Sequence, residues 1–178
     1  MHRIQVLDKT FEPFLSEEEI ARNIKRVGAE ITRDYAGKKP LFIAILNGSF
    51  MFAADLFKAI DMEAEICFIK LASYKGTSSS GQVITAIGLD TDLVGRHLIV
   101  VEDIIDTGKT LSTFLPQLNH QQPESLKIAA LLHKPEASLY PIKPDYTGFV
   151  IPDKFVVGYG LDYNGYGRNL SAIYKLVE

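Results

Sequence analysis

Apolar residues recur along this chain at two spacings, one typical of amphipathic helices and one typical of buried strands. Near the N-terminus they recur at helical spacing at Ile20, Ile24, Val27 and Ile31. This pattern predicts an amphipathic helix, and the preceding Ser-Glu-Glu-Glu has the form of a capping box, in which Ser16 caps the helix and Glu19 reaches back. Residues 41–46 are apolar without interruption, as is expected for a short strand that is covered on both faces.

Further strands and helices alternate after this first pair. Strands are predicted over residues 65–71, 83–87, 98–101, 126–132 and 154–159. A turn at residues 47–49 is predicted to open a second helix, and a turn at residues 107–110 a third. This alternation predicts an α/β fold with a mostly parallel sheet and helices on both of its faces. Ligands of such sheets bind beyond the carboxyl ends of the strands.

Residues 75–81 differ from the rest of the chain because they are almost all small and polar. This composition predicts a mobile segment. A generic linker is one interpretation, but the position between two predicted strands of a compact α/β pattern favours a lid that spans residues 72–82. The chain has neither an internal repeat nor a composition shift that would mark a boundary, so residues 1–178 are predicted to form a single domain.

Composition narrows the possible classes of function. A chain of 178 residues can bury a sizeable core. The net charge is −3 and the Lys and Arg residues are scattered, so a basic face for nucleic acid is not indicated. No apolar run approaches the length that spans a membrane, and the N-terminal residues lack the pattern of a signal peptide. Cys67 is the only cysteine, which excludes a disulfide framework and is compatible with the cytoplasm.

The densest group of polar residues follows the strand predicted at residues 98–101. Glu102 and Asp103 come where that strand is expected to stop, and Asp106 follows. The helix then opens with Thr107, Gly108, Lys109 and Thr110. The first amide N–H groups of a helix lack internal partners, so this turn is suited to bind an anion such as phosphate. The two adjacent acids suit either the hydroxyls of a sugar or a hard cation.

Two other interpretations compete with an anion site. Gly-Lys-Thr ends the P-loop of nucleoside-triphosphate-binding proteins, but a P-loop needs a glycine five positions before Gly108. That position is Asp103, so the spacing excludes a P-loop. A solvated acidic turn is the second alternative, and it would leave the coincidence of phosphate, sugar and cation chemistry in one short run unexplained.

The run from Val100 to Thr110 resembles the phosphoribosyl pyrophosphate signature of the type I phosphoribosyltransferase family. Four other stretches resemble the hypoxanthine-guanine branch of that family, namely Leu46-Asn47-Gly48-Ser49-Phe50, Ser73-Tyr74-Lys75-Gly76, Leu131-Leu132-His133-Lys134-Pro135 and residues 151–163. The likeness extends from about Ser16 to the C-terminus, with the motifs in the family's order. It implies a type I phosphoribosyltransferase fold, with a small hood formed by residues of about 150–178 together with N-terminal residues.

The resemblance implies a purine salvage enzyme. Such an enzyme transfers the phosphoribosyl group of phosphoribosyl pyrophosphate to hypoxanthine, guanine or both, and pyrophosphate leaves with the help of Mg²⁺. Asp106 would be the general base that takes the ring proton of the purine. Glu102 and Asp103 would hold the ribose hydroxyls and the magnesium ion. The monoester phosphate would be bound by Thr107, Gly108, Lys109 and Thr110.

The other family motifs match the pyrophosphate subsite and the lid. Leu46-Asn47-Gly48 matches the pyrophosphate loop, for which a cis peptide between Leu46 and Asn47 is implied. The family often carries a basic residue where this chain has Asn47, so a pyrophosphate contact there is expected from the backbone amide. Arg168 would also reach pyrophosphate. Ser73 and Tyr74 would lie at the base of the lid.

Four residues match the family's purine subsite. Lys134 would donate a hydrogen bond to the six-oxo group of the purine, which favours hypoxanthine, guanine or xanthine over adenine. Phe155 would stack on the base, and the backbone of Val156 would read its edge. Asp162 would lie near the two-position of the base and assist the magnesium ion.

The resemblance leaves several alternatives open. A regulatory binding protein of the same fold is the alternative from another class, although this chain shows neither an additional DNA-binding domain nor a basic face. The preference among hypoxanthine, guanine and xanthine is also open. The family commonly forms dimers or tetramers, so a cytoplasmic homodimer or homotetramer is expected, with small-molecule substrates and with neither nucleic acid nor a membrane as a partner.

Overall fold

The computed structural model describes residues 2–74 and 83–177, with the backbone alone at residues 72–74 and 83–87. The strands are β1 (Ile4–Val6), β2 (Lys9–Leu15), β3 (Leu41–Leu46), β4 (Glu65–Tyr74), β5 (Val83–Ile87), β6 (His97–Ile105), β7 (Ser125–His133), β8 (Tyr146–Val150), β9 (Val156–Val157) and β10 (Ile173–Leu176). The α-helices are α1 (Glu17–Asp34), α2 (Phe50–Ala59) and α3 (Lys109–Asn119). A short 3₁₀-helix covers Pro135–Ala137.

The larger sheet confirms the predicted α/β fold. Its six strands have the order β5-β4-β3-β6-β7-β8, and all neighbours pair in parallel except β4 and β5. Apolar residues of α1 and α2 share one core with this sheet, and those of α3 share a second core. The carboxyl ends of the central strands β3, β6 and β7 therefore lie side by side, at the edge where ligands of parallel sheets bind.

Helix α1 forms as its sequence predicts. The Ser16 hydroxyl accepts a hydrogen bond from the Glu19 amide at 3.2 Å, and the Glu19 carboxylate accepts one from the Ser16 amide at 2.8 Å. The predicted apolar stripe of the helix is buried. Gly28 lies so close to α2 that a Cβ atom there would be 2.7 Å from the carbonyl oxygen of Ala59. The capping box fixes where α1 begins, and the close approach at Gly28 packs α1 against the end of α2.

A second, antiparallel sheet has the strand order β1-β2-β10-β9 and so joins residues from both ends of the described chain. Phe11, Val6 and Val157 form its buried core. The strand predicted over residues 154–159 is wrong in length, since β9 contains only two residues. The reason is that Gly158, Tyr159 and Gly160 all have positive φ angles, which no β-strand accommodates.

The strand that leads into the acidic run is longer than its sequence predicts. β6 continues through Ile105, because Ile104 and Ile105 pair with Leu132 and His133 of β7. Glu102 and Asp103 therefore belong to the strand instead of following it. The predicted lid, residues 72–82, lies largely outside the described residues. Within the described part of the chain, no helix is long and apolar enough to cross a membrane.

Candidate active site

Four segments that the sequence separates meet at the carboxyl edge of the large sheet. The loop after β3 touches β6, because a Cβ atom on Gly48 would overlap the carboxylate of Asp103. The same loop touches the turn after β9, because a Cβ atom on Gly160 would overlap the carbonyl oxygen of Gly48. The Lys134 ammonium, directly after β7, lies 3.3 Å from Asp106 Oδ2. Residues predicted for the pyrophosphate, ribose and purine subsites are thus neighbours.

The turn between β6 and α3 has the geometry of an anion site. Gly108 precedes the helix with a φ angle of +81° and has no side chain that could cap it, while the Lys109 amide donates weakly to the Thr107 hydroxyl at 3.3 Å. The first amide N–H groups of α3 are then available to an anion. The turn and the end of β6 line a small cavity that includes Glu102. Of the predicted phosphate-binding residues, Lys109 and Thr110 are exposed and Gly108 is buried.

A loop after the 3₁₀-helix supports this turn from behind. The amide groups of Leu139 and Tyr140 both donate to the Thr107 carbonyl oxygen, at 3.0 and 3.2 Å. The side chain of Ile142 packs so closely on Gly108 that a Cβ atom there would lie 3.2 Å from it. Two backbone hydrogen bonds and the Ile142 side chain therefore support the conformation of the turn.

Glu102 and Asp103 form a partly buried acidic pair. The Oε2 atom of Glu102 is buried and has no hydrogen-bond partner among the described residues. Burial raises the pKa of Glu102 well above its usual range, and the neighbouring Asp103 carboxylate raises it further. Burial also raises the pKa of Asp103, although the amide of Ile104 donates to its Oδ1 atom at 2.9 Å. A hydrogen bond with Glu102 and the positive charge of Arg168 also favour the ionised form of Asp103, so Glu102 is the member of the pair with an unpartnered oxygen.

The pair fits a magnesium ion that is held partly by a substrate. In residues 2–74 and 83–177, no group of three or more His, Cys, Asp or Glu side chains could hold a metal. Mg²⁺ is, however, usually bound by one or two carboxylates together with substrate phosphates, and Glu102 has an unpartnered oxygen to offer. Asp162 does not join this pair in such a group. Its carboxylate binds Arg168 at 2.8 Å and the Gly165 amide at 2.6 Å.

Lys134 forms ion pairs with two carboxylates of the site. The side chain of Lys134 is only 6% exposed, and its ammonium lies 3.3 Å from Asp106 Oδ2 and 3.3 Å from Asp153 Oδ1. Both carboxylates are more exposed, so the cation faces the open side of the site. A buried ammonium beside an accessible carboxylate can donate a hydrogen bond to a ligand while the carboxylate accepts a proton from the same ligand.

Phe155 and Val156, which follow Asp153 in the chain, differ in their exposure to solvent. Phe155 is 45% exposed, and its ring centroid is 6.2 Å from that of Phe11 and 5.9 Å from that of Tyr163. One face of an aromatic cluster is thus open to a planar ligand. Val156 is buried in β9, which leaves its backbone for ligand contacts.

The residues predicted to contact pyrophosphate lie in three parts of the chain. The Leu46–Asn47 peptide bond is cis, and the Asn47 side chain is exposed. The Arg168 guanidinium is held by two partners, because it donates to the Gly160 carbonyl oxygen at 2.7 Å and forms an ion pair with Asp162. Ser73 and Tyr74 lie at the carboxyl end of β4, where only the backbone is described.

Sequence reasoning gave no role to Asp153 or to the contact between Tyr159 and Asp55. Asp153 lies two residues before Phe155, within residues 151–163 that resemble the family. An aspartate next to a proline is, however, common in surface turns and by itself indicates no function. Tyr159 and Asp55 are far apart in the chain, and no local pattern relates them. The only available signal was Tyr159 itself, a bulky residue between two glycines.

Comparison with known proteins finds one family that matches most of the chain. Residues 12–164 match the family model for the phosphoribosyl transferase domain. The hypoxanthine-guanine phosphoribosyltransferase of Lactococcus lactis is 49% identical over 166 residues, which cover 92% of this chain and 90% of that protein. A solved structure of a hypoxanthine phosphoribosyltransferase from Staphylococcus aureus is similar with a TM-score of 0.87 and 40% identity, and the match covers 93% of this chain and 91% of that one. The hypoxanthine phosphoribosyl transferase of Trypanosoma cruzi is similar with a TM-score of 0.85 and 33% identity, covering 98% and 95% of the two chains.

Proposed function

This chain belongs to the phosphoribosyltransferase family, and we propose that it transfers the phosphoribosyl group of phosphoribosyl pyrophosphate to hypoxanthine and guanine. The products are IMP or GMP and pyrophosphate. The observation that carries the proposal is the buried Lys134 ammonium beside Asp106, next to a phosphate-sized turn. A cation and a carboxylate in this arrangement match the six-oxo group and the acidic ring N–H of such a purine.

The reaction uses the two groups together. Lys134 donates a hydrogen bond to the six-oxo group and so orients the base. Asp106 takes the ring proton as the purine nitrogen bonds to the anomeric carbon of the ribose, and general-base assistance of this kind contributes about 10²- to 10⁴-fold in rate. The bond between that carbon and the pyrophosphate oxygen breaks, and the bonding electrons leave with pyrophosphate. Phe155 stacks on the base and keeps water from its face.

The remaining residues hold phosphoribosyl pyrophosphate. The amide groups and hydroxyls of residues 107–110 bind the monoester phosphate, and the carboxylates of Glu102 and Asp103 accept hydrogen bonds from the ribose hydroxyls. Arg168 and the backbone of residues 46–48 face the pyrophosphate. When bound, Mg²⁺ would supply positive charge to balance that of the departing pyrophosphate. Glu102 and Asp103 would hold that ion, with Asp162 nearby, and Ser73 and Tyr74 would carry the base of a closing lid.

We further propose that the protein works as a homodimer or homotetramer in the cytoplasm. A groove of about 600 Å³ between α1 and α2 supports self-association, because its lining is mostly apolar. Its rim carries charges of both signs, at Glu17, Lys25, Asp55 and Lys58. A rim of this kind suits the self-complementary contact of a two-fold dimer. Light scattering tests this proposal, and a purely monomeric mass at assay concentration would contradict it.

The test of the function is nucleotide formation from phosphoribosyl pyrophosphate and Mg²⁺, with hypoxanthine, guanine, xanthine and adenine offered separately. We expect turnover of hypoxanthine and guanine, little or none of adenine, and loss of turnover when EDTA removes the metal. Absence of turnover with every base, in a folded protein that still binds phosphoribosyl pyrophosphate, would indicate a regulatory binding protein instead.

A further inference from the structure

The turn after β9 has an unusual backbone. Gly158, Tyr159 and Gly160 have φ angles of +103°, +50° and +98°. Glycine adopts such angles readily, whereas the Cβ atom of a tyrosine crowds its own backbone there. A non-glycine residue stays in this region when contacts around it fix its position, and such positions concentrate at functional sites. The contacts of Tyr159 therefore need an explanation.

Tyr159 is anchored at both its side chain and its backbone. Its hydroxyl donates to Asp55 Oδ2 on α2, with an O···O distance of 2.5 Å. Burial and the Asp55 carboxylate raise the pKa of Tyr159 far above its usual range, so the hydroxyl remains a donor at any physiological pH. The amide of Tyr159 donates to the Leu170 carbonyl oxygen at 2.8 Å. Asp55 is oriented in turn by an ion pair with Lys58 at 2.8 Å.

This anchor joins the two halves of the predicted pyrophosphate subsite. Helix α2, which carries Asp55, begins directly after the loop at residues 46–48. The residue after Tyr159 is Gly160, whose backbone lies against the Gly48 carbonyl oxygen. Gly160 also exchanges hydrogen bonds with Arg168, through its amide at 2.9 Å and its carbonyl oxygen at 2.7 Å. The Tyr159 hydroxyl thus fastens the turn that contacts Arg168 to the helix that follows the loop, through Asp55 and, at a longer distance of 3.5 Å, through the Met51 carbonyl oxygen.

We infer that Tyr159, through its hydrogen bond to Asp55, is a positioning residue that holds Arg168 against the loop at residues 46–48 and so sets the affinity for the pyrophosphate group. This inference rests on the proposed function. The Tyr159 hydroxyl points towards α2, away from the Lys134 and Asp106 pair that handles the purine. Its loss is therefore expected to weaken binding of phosphoribosyl pyrophosphate and to spare the purine.

The test compares two tyrosine-to-phenylalanine variants, each of which loses a hydrogen bond from a tyrosine hydroxyl to an aspartate. Tyr159→Phe removes the hydrogen bond to Asp55. Tyr146→Phe is the matched control, because the Tyr146 hydroxyl donates to Asp34 at 2.9 Å and ties β8 to α1, away from the site. Asp55→Ala removes the acceptor from the other side, and Asp55→Asn keeps an acceptor oxygen. Steady-state kinetics, melting temperature and molar mass are measured for each variant.

We expect Tyr159→Phe and Asp55→Ala to raise the KM for phosphoribosyl pyrophosphate about tenfold, which corresponds to about 1.4 kcal/mol. The inhibition constant of pyrophosphate should rise in parallel, while the KM for hypoxanthine and kcat stay near the wild-type values. Asp55→Asn should restore most of the affinity. Tyr146→Phe should lower the melting temperature but leave the KM unchanged.

Three results would overturn the inference in a wild-type protein that turns over hypoxanthine. They are an unchanged KM in Tyr159→Phe and Asp55→Ala, an equal rise in Tyr146→Phe, or a rise that occurs only together with a change in molar mass. If Tyr159→Phe does not fold, the Asp55 variants carry the same comparison at a half-exposed position. A wild-type protein that turns over no purine would instead refute the proposed function.

Discussion

Lys134 offers the sharpest test of how this site selects its base. The substitution Lys134→Met keeps the apolar stem of a side chain that is only 6% exposed and removes the ammonium. The ammonium is placed between two carboxylates at 3.3 Å each, so its position does not depend on the ligand. A hydrogen bond to a charged group contributes about 1.5–3 kcal/mol, which corresponds to about 10- to 150-fold in kcat/KM.

This loss should fall on six-oxo purines alone. Adenine presents a donor at its six-position and gains no hydrogen bond from an ammonium, so its kcat/KM should change little. The ratio of kcat/KM for hypoxanthine to that for adenine is therefore the quantity to measure in wild type and variant. If turnover of adenine is too slow to measure, the inhibition constant of adenine in competition with hypoxanthine is used in place of its kcat/KM. We expect the ratio to fall by the same factor of about 10–150.

A matched variant separates selection from stability. Lys127→Met removes the ammonium of a lysine near the start of β7, the strand that Lys134 follows; Lys127 pairs with Asp145 at 3.1 Å, distant from the carboxyl edge of the sheet. It should leave the ratio unchanged. A Lys134→Met protein that melts like the Lys127→Met protein and keeps the wild-type ratio would refute the assignment of Lys134 to the six-oxo group.

Three further predictions concern the base, the acidic pair and the first helix. Asp106→Asn should lower kcat by about a hundredfold or more with little change in KM, and unchanged turnover would remove Asp106 from the role of base. The pKa of Glu102 is raised in the folded protein, so the folded state binds more protons than the unfolded state between the ordinary and the raised pKa. The free energy of unfolding of the ligand-free protein should therefore fall as the pH rises through that interval. Glu102→Gln should reduce this fall to the part that Asp103 contributes, because the pKa of Asp103 is raised as well. It should also add about 1 kcal/mol of stability at neutral pH by removing an unpartnered carboxylate, and lower turnover. Urea unfolding across pH is the measurement, and an equal fall in the wild type and the variant would contradict the prediction. Ser16→Ala should cost about 1 kcal/mol in the same assay through the lost cap and leave kcat unchanged, and no loss would mean that the capping box contributes nothing.

Local patterns predicted those parts of the structure that local forces determine. The bounds of β3 and β5 agree with the apolar runs, and the Ser16 capping box has the predicted hydrogen bonds. Lys134 follows a parallel strand, so the topology alone brings it to the ligand edge. The same topology brings the acids near the end of β6 to that edge, because adjacent parallel strands end at one edge of the sheet.

Other features depend on contacts between distant residues, which a single sequence does not reveal. β6 extends past its acids because β7 supplies backbone partners for Ile104 and Ile105, a pairing that outweighs the apparent end of the apolar run. β9 is short because Tyr159 is fixed by a helix far away in the chain. The second partner of Lys134, Asp153, is one aspartate among many until the fold places it at 3.3 Å.

The order of the small sheet constrains how the protein can be made in the cell. β10 lies between β2 and β9 and pairs with both, so β2 lacks this neighbour until residues 173–176 have left the ribosome. The large sheet has all its strands by Val150, but Phe155 and Arg168 lie beyond them in the chain. Because a domain generally folds as a unit, the small sheet closes only after its last strand has been synthesised. Removal of residues 173–178 would therefore take away the strand that β2 and β9 share, and with it the partner of the Phe155 carbonyl oxygen, which accepts from the Leu176 amide at 2.8 Å.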